Sequence, residues 1–431
     1  MKKSISLLVA LLIVFTSICS TTGKSFANST KLDLTAQYAV LMDYETGQVL
    51  YSKNGNAKLY PASTTKAWTA YIVLKNVADL NQIIEIKDLP PIEGSSMYLK
   101  NGESFTVKEL LSSLLIHSSN DAAYVLATYT CGSEAEFVKL MNEEAKAIGA
   151  KNTHFTQSHG LPDENHYTTA YDMALMAREA MSNEIFRSIV KTKSVSFKAS
   201  EAYPYERFFK NSNKFISSNE KMNYKGQEIP IQYDIIDGIK TGYTDLAGRC
   251  LLSSGVKNNM RLISSVFKSY GNDLYIDSRT LLDYGFDNFT STTIVNKEEY
   301  IDSKKVLLSK QGELVYEPKY SYKVVLPNGA KKSDYRTEVK LDDIDLPVYK
   351  GDKVGLLEIY NGNDLKHTID LVAKDDVNDI FAFISENKSI VFSVKVVLLA
   401  LVIIMVFIIR RKKSNSNTYP SKIQYFKKRR K

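Results

Sequence analysis

Histidine and cysteine are both scarce in this chain, with five and three among 431 residues. None of His117, His154, His159, His166 and His367 falls into HExxH or another metal-ligand spacing. A zinc hydrolase therefore has no support, and no metal site is expected. No glycine-rich phosphate loop is present, which removes the nucleotide-dependent enzymes. Cys19 lies in an N-terminal leader, so Cys131 and Cys250 are left for the body. Two cysteines make no disulfide scaffold; they are read either as one bridge or as buried free thiols. Acidic residues are missing from both ends. Residues 1–27 carry three lysines and no acid, and residues 395–431 carry eleven Lys or Arg and no acid. With those fourteen set aside, 42 basic residues face 48 acidic ones and the body is net −6. That excludes a basic nucleic-acid-binding domain, and no nucleic-acid partner is expected. At 44% hydrophobic and 24% charged, the composition also excludes a largely disordered chain.

What the ends do carry is targeting and anchoring chemistry. Lys2 and Lys3 precede an apolar run from Leu7 to Ile18, and Ser25-Phe26-Ala27 places small residues before a cut after Ala27. Residues 1–27 thus read as a cleaved secretory signal. Ile390 to Ile409 is a 20-residue apolar stretch interrupted only by Ser393 and Lys395. At about 1.5 Å per residue it spans roughly 30 Å, one hydrocarbon core. Residues 410–431 hold ten Lys or Arg, which places this tail in the cytoplasm. The expected protein is a single-pass protein of the cell membrane, with its body outside the cell.

Within the body, Ala39–Met42 and Gln48–Tyr51 flank a turn at Glu45-Thr46-Gly47, which predicts a hairpin. A helical pattern runs from Ser63 to about Val77. Thr106 and Glu109 form a capping box and Phe105 with Leu110 a hydrophobic staple, opening a helix from Val107 to about His117. That helix stops at Ser118-Ser119-Asn120, and Asp121 is placed to cap the next one, Ala122 to about Thr130. Another helix is expected from about Thr169 to Met181. Ile235–Lys240, Cys250–Ser253 and Arg261–Val266 read as successive strands before a helix near 273–284. Strands from both ends of residues 35–285 thus share one sheet with helices packed on it, an α/β domain. Residues 291–373 are short strands and turns, among them Tyr322–Leu326 and a hairpin at Asn361-Gly362, and read as a small all-β domain. Residues 374–389 connect it to the apolar stretch.

Three short motifs carry the chemistry: Ser63-Thr64-Thr65-Lys66, Ser118-Ser119-Asn120 and Lys240-Thr241-Gly242. S-x-x-K alone says little, since it also occurs at Ser188, Ser218, Ser254, Ser265 and Ser385. The context selects Ser63. It opens a helix, an S-x-N follows at a helix end, and the single Lys-Thr-Gly closes an expected strand. Together these are the three signatures of serine β-lactamases and penicillin-binding proteins. The spacing also makes physical sense. Residues i and i+3 share a helix face, so Ser63 Oγ and the Lys66 amine can meet. A serine hydroxyl needs a base, and Lys66 serves only when neutral, a change worth roughly 4 kcal/mol from its ordinary state. Burial and the nearby cation Lys240 are the two available causes. Ser63 at a helix N-terminus has free backbone N–H groups for an oxyanion. Ser118 is a candidate proton relay, and Asn120 offers an amide to Lys66 and a substrate carbonyl. Lys240 and Thr241 suit a terminal carboxylate, and Gly242 would let a substrate backbone approach the strand.

On these motifs the chain resembles the low-molecular-mass D-alanyl-D-alanine carboxypeptidases, penicillin-binding serine peptidases of bacterial walls. His159-Gly160-Leu161-Pro162-Asp163-Glu164-Asn165-His166, Asp237-Gly238-Ile239 and Ala247-Gly248 add to the likeness. The resemblance implies a transpeptidase/serine β-lactamase-like fold, an antiparallel sheet packed by helices. It implies Ser63 as the acylated nucleophile, Lys66 as general base, Ser118 and Asn120 for relay and positioning, and Lys240, Thr241 and Gly242 for substrate binding. The backbone N–H groups of Ser63 and Tyr243 would form the oxyanion hole. The implied reaction removes the terminal D-Ala of a peptidoglycan stem pentapeptide, with β-lactam antibiotics as inhibitors and no cofactor. Arg249 departs from an aromatic common in the family; it is long enough to reach a substrate carboxylate, but reads first as a solvated strand residue.

The alternatives on the same fold are a β-lactamase, for which Glu164 would have to activate water, and a cross-linking transpeptidase. A catalytically silent wall-binding scaffold is the alternative of another class. His159 and His166 read as loop residues that hydrogen-bond backbone, His117 as packing, and Trp68 as a core contact.

Overall fold

The computed structural model describes residues 31–381 and 387–416. The expected signal at residues 1–27 and the end of the basic tail lie outside the described residues. The chain divides into two compact units. The first runs to Thr292 and includes Val324–Gly329; the second comprises Thr293–Lys323 and the chain from Ala330 on. Val324–Gly329 groups with the first unit, and Val325 is buried in a core cluster of that unit.

The first unit is built on a five-stranded antiparallel sheet, in the order Val49–Lys53, Tyr38–Asp43, Met260–Ser269, Gly248–Lys257, Ile236–Thr244. The hairpin at 38–53 therefore pairs with a strand more than 200 positions away, Tyr38 opposite Phe267. Side chains alternate strictly between two cores. Val40, Met42, Leu252, Ile263 and Phe267 enter a helical layer, while Ala39, Leu41, Leu251, Leu262 and Val266 enter the core shared with the helix Asp273–Asn288. Both faces are covered, so these strands read as near-continuous apolar runs rather than as alternation.

The helix Thr65–Asn76 forms the centre of the helical layer. Every residue from Thr65 to Val73 is buried, so it shows no polar face. Its Trp68 is 1% exposed and donates its indole N–H to the Met141 carbonyl at 3.0 Å, a core contact as expected. The capping box at Thr106 is complete: the Glu109 N–H donates to Thr106 Oγ1 and the Thr106 N–H to Glu109 Oε2. The helix it opens, Val107–Ser112, runs into a wider π turn over Ser113–His117 and ends at Ser118 with φ 75°.

One capping expectation fails. The next helix is Asn120–Cys131 with Ser119 at its N-cap, and Asp121 lies inside its first turn. The Asp121 carboxylate instead accepts from Ser96 Oγ at 2.6 Å and from the N–H groups of Met97 and Leu99. Three donors on one loop outcompete a single cap.

The second unit holds an antiparallel sheet in the order Asp302–Lys305, Glu313–Pro318, Asp364–Ala373, Lys353–Asn361, Tyr335–Leu341. Asn361-Gly362 turns the central hairpin, with Asn361 opposite Asp364. Leu314, Leu357, Ile359, Ile369 and Leu371 are completely buried in its own core. Further along, Lys388–Ser416 is one helix with a mean hydropathy of 3.1 in its apolar part, long enough to cross a membrane.

Candidate active site

The chain reaches Ser63 through a turn that sequence does not announce. Ala62–Thr64 is a 3-10 turn and the α-helix starts only at Thr65, so Ser63 sits just before the helix rather than opening it. Ala62 holds φ 49°, the left-handed region that alanine avoids. Two glycines permit this. A Cβ on Gly160 would meet the Ala62 carbonyl oxygen at 2.0 Å, and one on Gly242 would meet Ser63 N at 3.0 Å. A side chain at Gly242 would therefore press on the nucleophile turn, which packs directly on this strand.

The turn brings Lys66 Nζ to 2.9 Å from Ser63 Oγ. Nζ also donates to the His159 carbonyl at 2.6 Å. Lys66 is fully buried. Burial, and next the charge of Lys240, push its ammonium well below the ordinary lysine range, against a weaker opposing pull from Asp121. These are the two causes anticipated from sequence. Lys240 is itself 1% exposed and donates to the Thr241 carbonyl at 2.9 Å; burial lowers it to about 7. A charged Lys240 is thus part of what favours the neutral Lys66 amine, so the two lysines titrate as a coupled pair.

Ser118 lines the same cavity as Ser63. Its Oγ is buried with no hydrogen-bond partner among the described residues. Asn120 is placed differently from expectation. Its amide Nδ2 donates to the Glu93 carbonyl at 2.5 Å and its N–H to the Ser95 carbonyl at 2.7 Å. No bond to Lys66 is formed; Asn120 clamps the 93–95 loop, whose Ser95 borders the cavity. The Asp121 bonds fasten the following residues, 96–99.

Lys240, Thr241 and Gly242 lie on the edge strand of the sheet, opposite Leu252, Leu251 and Cys250. An edge strand leaves alternate N–H and C=O groups unpaired, available to an extended ligand. Thr241 Oγ1 is 2.8 Å from Ser212 Oγ. Tyr243 donates its hydroxyl to Asp245 and lies under the Arg249 guanidinium, 4.8 Å from ring centre to charge. The cavity along this edge measures about 570 Å³ and is bordered by Ser63, Ser118, Ser212, Thr241, Tyr243 and Arg249. Arg249 is exposed on its strand, as read, and also lines the cavity.

Around this centre, the histidines hold backbone. His166 Nδ1 accepts from the Thr156 N–H at 3.1 Å, so its proton sits on Nε2, 3.0 Å from Thr65 Oγ1. Burial holds it down at about 4, and His159 at about 3, so both are neutral. His117 stacks on Phe209. Glu164 is exposed and is not among the residues that line the cavity. Cys131 and Cys250 are both free thiols; burial pushes Cys250 up to about 12, beyond reactivity. Among the described residues no cluster of His, Cys, Asp or Glu could hold a metal ion.

Comparison with known proteins gives consistent likenesses. Residues 24–271 match the family model of the D-alanyl-D-alanine carboxypeptidases, and residues 289–379 match that of the penicillin-binding protein 5 C-terminal domain. The chain is 31% identical over 389 residues to the D-alanyl-D-alanine carboxypeptidase DacF of Bacillus subtilis, covering 88% of this chain and 95% of that protein. It is 31% identical to the D-alanyl-D-alanine carboxypeptidase DacC of Escherichia coli, over 76% of this chain and 80% of that one. Penicillin-binding protein 5 of Haemophilus influenzae superimposes with a TM-score of 0.66 at 27% identity, covering 82% of this chain and 100% of that structure.

Proposed function

The chain belongs to the D-alanyl-D-alanine carboxypeptidase family, and on that premise we propose how its own residues divide the work. It is a serine-type peptidase with the penicillin-binding fold, an α/β domain followed by an all-β domain, and its apolar C-terminal helix fits a membrane anchor. The observation that carries the mechanism is the buried Lys66 amine 2.9 Å from Ser63 Oγ.

With Lys66 neutral, one amine N–H stays on the His159 carbonyl and the lone pair faces the Ser63 hydroxyl. Ser63 Oγ attacks the carbonyl of the penultimate D-Ala of a peptidoglycan stem pentapeptide, and its proton moves to Lys66 Nζ. The N–H groups of Ser63 and Tyr243 receive the oxyanion. Collapse breaks the peptide bond, and Ser118 relays the proton from Lys66 to the departing amine of the terminal D-Ala. Water then attacks the Ser63 ester, with Lys66 accepting its proton. The bond from the acyl carbon to Ser63 Oγ breaks, the tetrapeptide leaves with its new carboxyl group, and Lys66 returns the proton to Ser63 Oγ. Lys240, Thr241 and Arg249 hold the terminal carboxylate, and Gly242 keeps the strand close to the nucleophile. Asn120 acts as a positioning residue through the 93–95 loop. A β-lactam carbonyl enters by the same attack and leaves Ser63 acylated, hence inhibition by β-lactam antibiotics. The body works outside the cell, anchored by residues 390–409, with the basic tail in the cytoplasm.

Labelling with a fluorescent penicillin, followed by peptide mass spectrometry, tests the assignment. The adduct should map to Ser63 and vanish in Ser63→Ala. An adduct at another serine would overturn it.

A further inference from the structure

The second unit carries an apolar tip that its own core does not use. The strands Asp302–Lys305 and Glu313–Pro318 are joined by a loop in which Leu307 is 88% and Leu308 63% exposed. Leu308 also holds φ 62°, a left-handed conformation that costs a leucine and brings its side chain no cover within the protein. The loop is strapped to the chain that leads to the apolar helix. The Ile380 N–H donates to the Leu308 carbonyl and the Lys310 N–H to the Asn378 carbonyl, each at 2.9 Å. The Asn378 N–H donates to Gln311 Oε1 at 3.0 Å, and Ser309 bridges to Asp379. Phe381, the next exposed apolar residue, is 62% exposed.

Covalent geometry limits where this tip can be. Seven residue steps separate Phe381 from Lys388, the start of the apolar helix. Even fully extended they span no more than roughly 25 Å. Resting on the reading of that helix as a membrane anchor, we propose that Leu307, Leu308 and Phe381 dock on the outer face of the same bilayer. The two leucines and the phenylalanine would sit at the boundary of headgroups and acyl chains, with Lys304 and Lys305, both exposed on the adjoining strand, toward the phosphates. The opposite end of the sheet, at the Asn361–Asp364 turn, would stay in water. The β domain is then fixed to the membrane at two points, the helix and the tip, which restricts its tilt.

The full chain in lipid nanodiscs tests this, with single tryptophans introduced at three places and acyl-brominated phospholipid as quencher. Trp68 lies in the core of the first unit and contributes the same background to all. Leu401→Trp reports the anchor, Leu307→Trp the tip, and Leu365→Trp the far turn. The expected result is quenching at 401 and at 307, the latter at least about twofold stronger than at 365. Quenching at 401 with 307 no different from 365 overturns the docking while the anchor stands. A blue-shifted but unquenched Trp at 307 means a protein partner covers the tip and likewise overturns it. No quenching at 401 refutes the anchor and the proposal with it.

Discussion

The Cβ that Gly160 lacks would lie 2.0 Å from the carbonyl oxygen of Ala62, the residue before the nucleophile. Gly160 also holds φ 91°, so alanine is excluded there by contact and by conformation. Gly160→Ala should cost roughly 3 kcal/mol of stability and displace the Ser63 turn. The check pairs a denaturation curve with penicillin acylation. Acylation should fall more than the folded fraction does; equal acylation at unchanged stability would contradict the packing role.

The lysine pair sets the pH profile. For the free enzyme, kcat/KM should rise as Lys66 loses its proton and fall as Lys240 loses its own through about 7. Stability moves the other way on that alkaline side. Unfolded, Lys240 keeps its proton to near its ordinary 10.5; folded, only to about 7. The unfolded chain binds more protons between those values, so this group makes stability rise with pH there, by up to about 1.4 kcal/mol per pH unit. Lys240→Met should flatten both trends. A kcat/KM that climbs without a fall from about pH 5 to about pH 9 would contradict the assignment of Lys240 as the working cation.

Arg207 and Glu103 form a buried two-pronged ion pair, at 3.0 and 2.7 Å, tying the 98–103 loop to the strand Arg207–Lys210. Burial pushes the Glu103 carboxyl up, but hydrogen bonds from Arg207, Ser200 and the Lys100 N–H outweigh it and hold it below the usual range. Its contribution is present above the unfolded carboxyl value and lost as pH falls through the folded one. Arg207→Ala should cost about 3–5 kcal/mol, since it strands a buried charge. Glu103→Leu with Arg207→Met should recover much of that, as read by urea denaturation. A double variant as unstable as the single one would show that the pair's worth is not electrostatic.

Arg249 borders the cavity with no carboxylate at ion-pair distance among the described residues. Arg249→Gln should raise KM for a peptide with a free terminal carboxylate by a factor of about 5–30, at nearly constant kcat. The effect should vanish for the C-terminally amidated peptide. An equal effect on both peptides would assign Arg249 to packing on Tyr243.

Much of this was legible in the sequence because it is local. The hairpin at 38–53, the Thr106–Glu109 capping box and the three motifs are each contained in a few adjacent residues. The central strands were legible as apolar runs rather than by alternation, because both faces are buried. The missing parts of the site are contacts made by backbone or by distant side chains. The His159 carbonyl on Lys66 carries no residue signature, since any residue supplies a carbonyl. Asp121 was misread as a cap, and only the fold shows that residues 96–99 offer it better donors. Asn120 similarly spends its amide on Glu93, and the fold adds that Arg249 packs over Tyr243 on the neighbouring strand. The left-handed Ala62 and Ser118 follow from tertiary packing that local propensity opposes.

The most direct test is release of D-alanine from a stem pentapeptide ending in D-Ala-D-Ala, with the full chain in detergent and Ser63→Ala alongside. The account predicts stoichiometric D-alanine and tetrapeptide from the native chain and none from the variant. A folded native chain that releases no D-alanine, or a Ser63→Ala variant that still does, would contradict it.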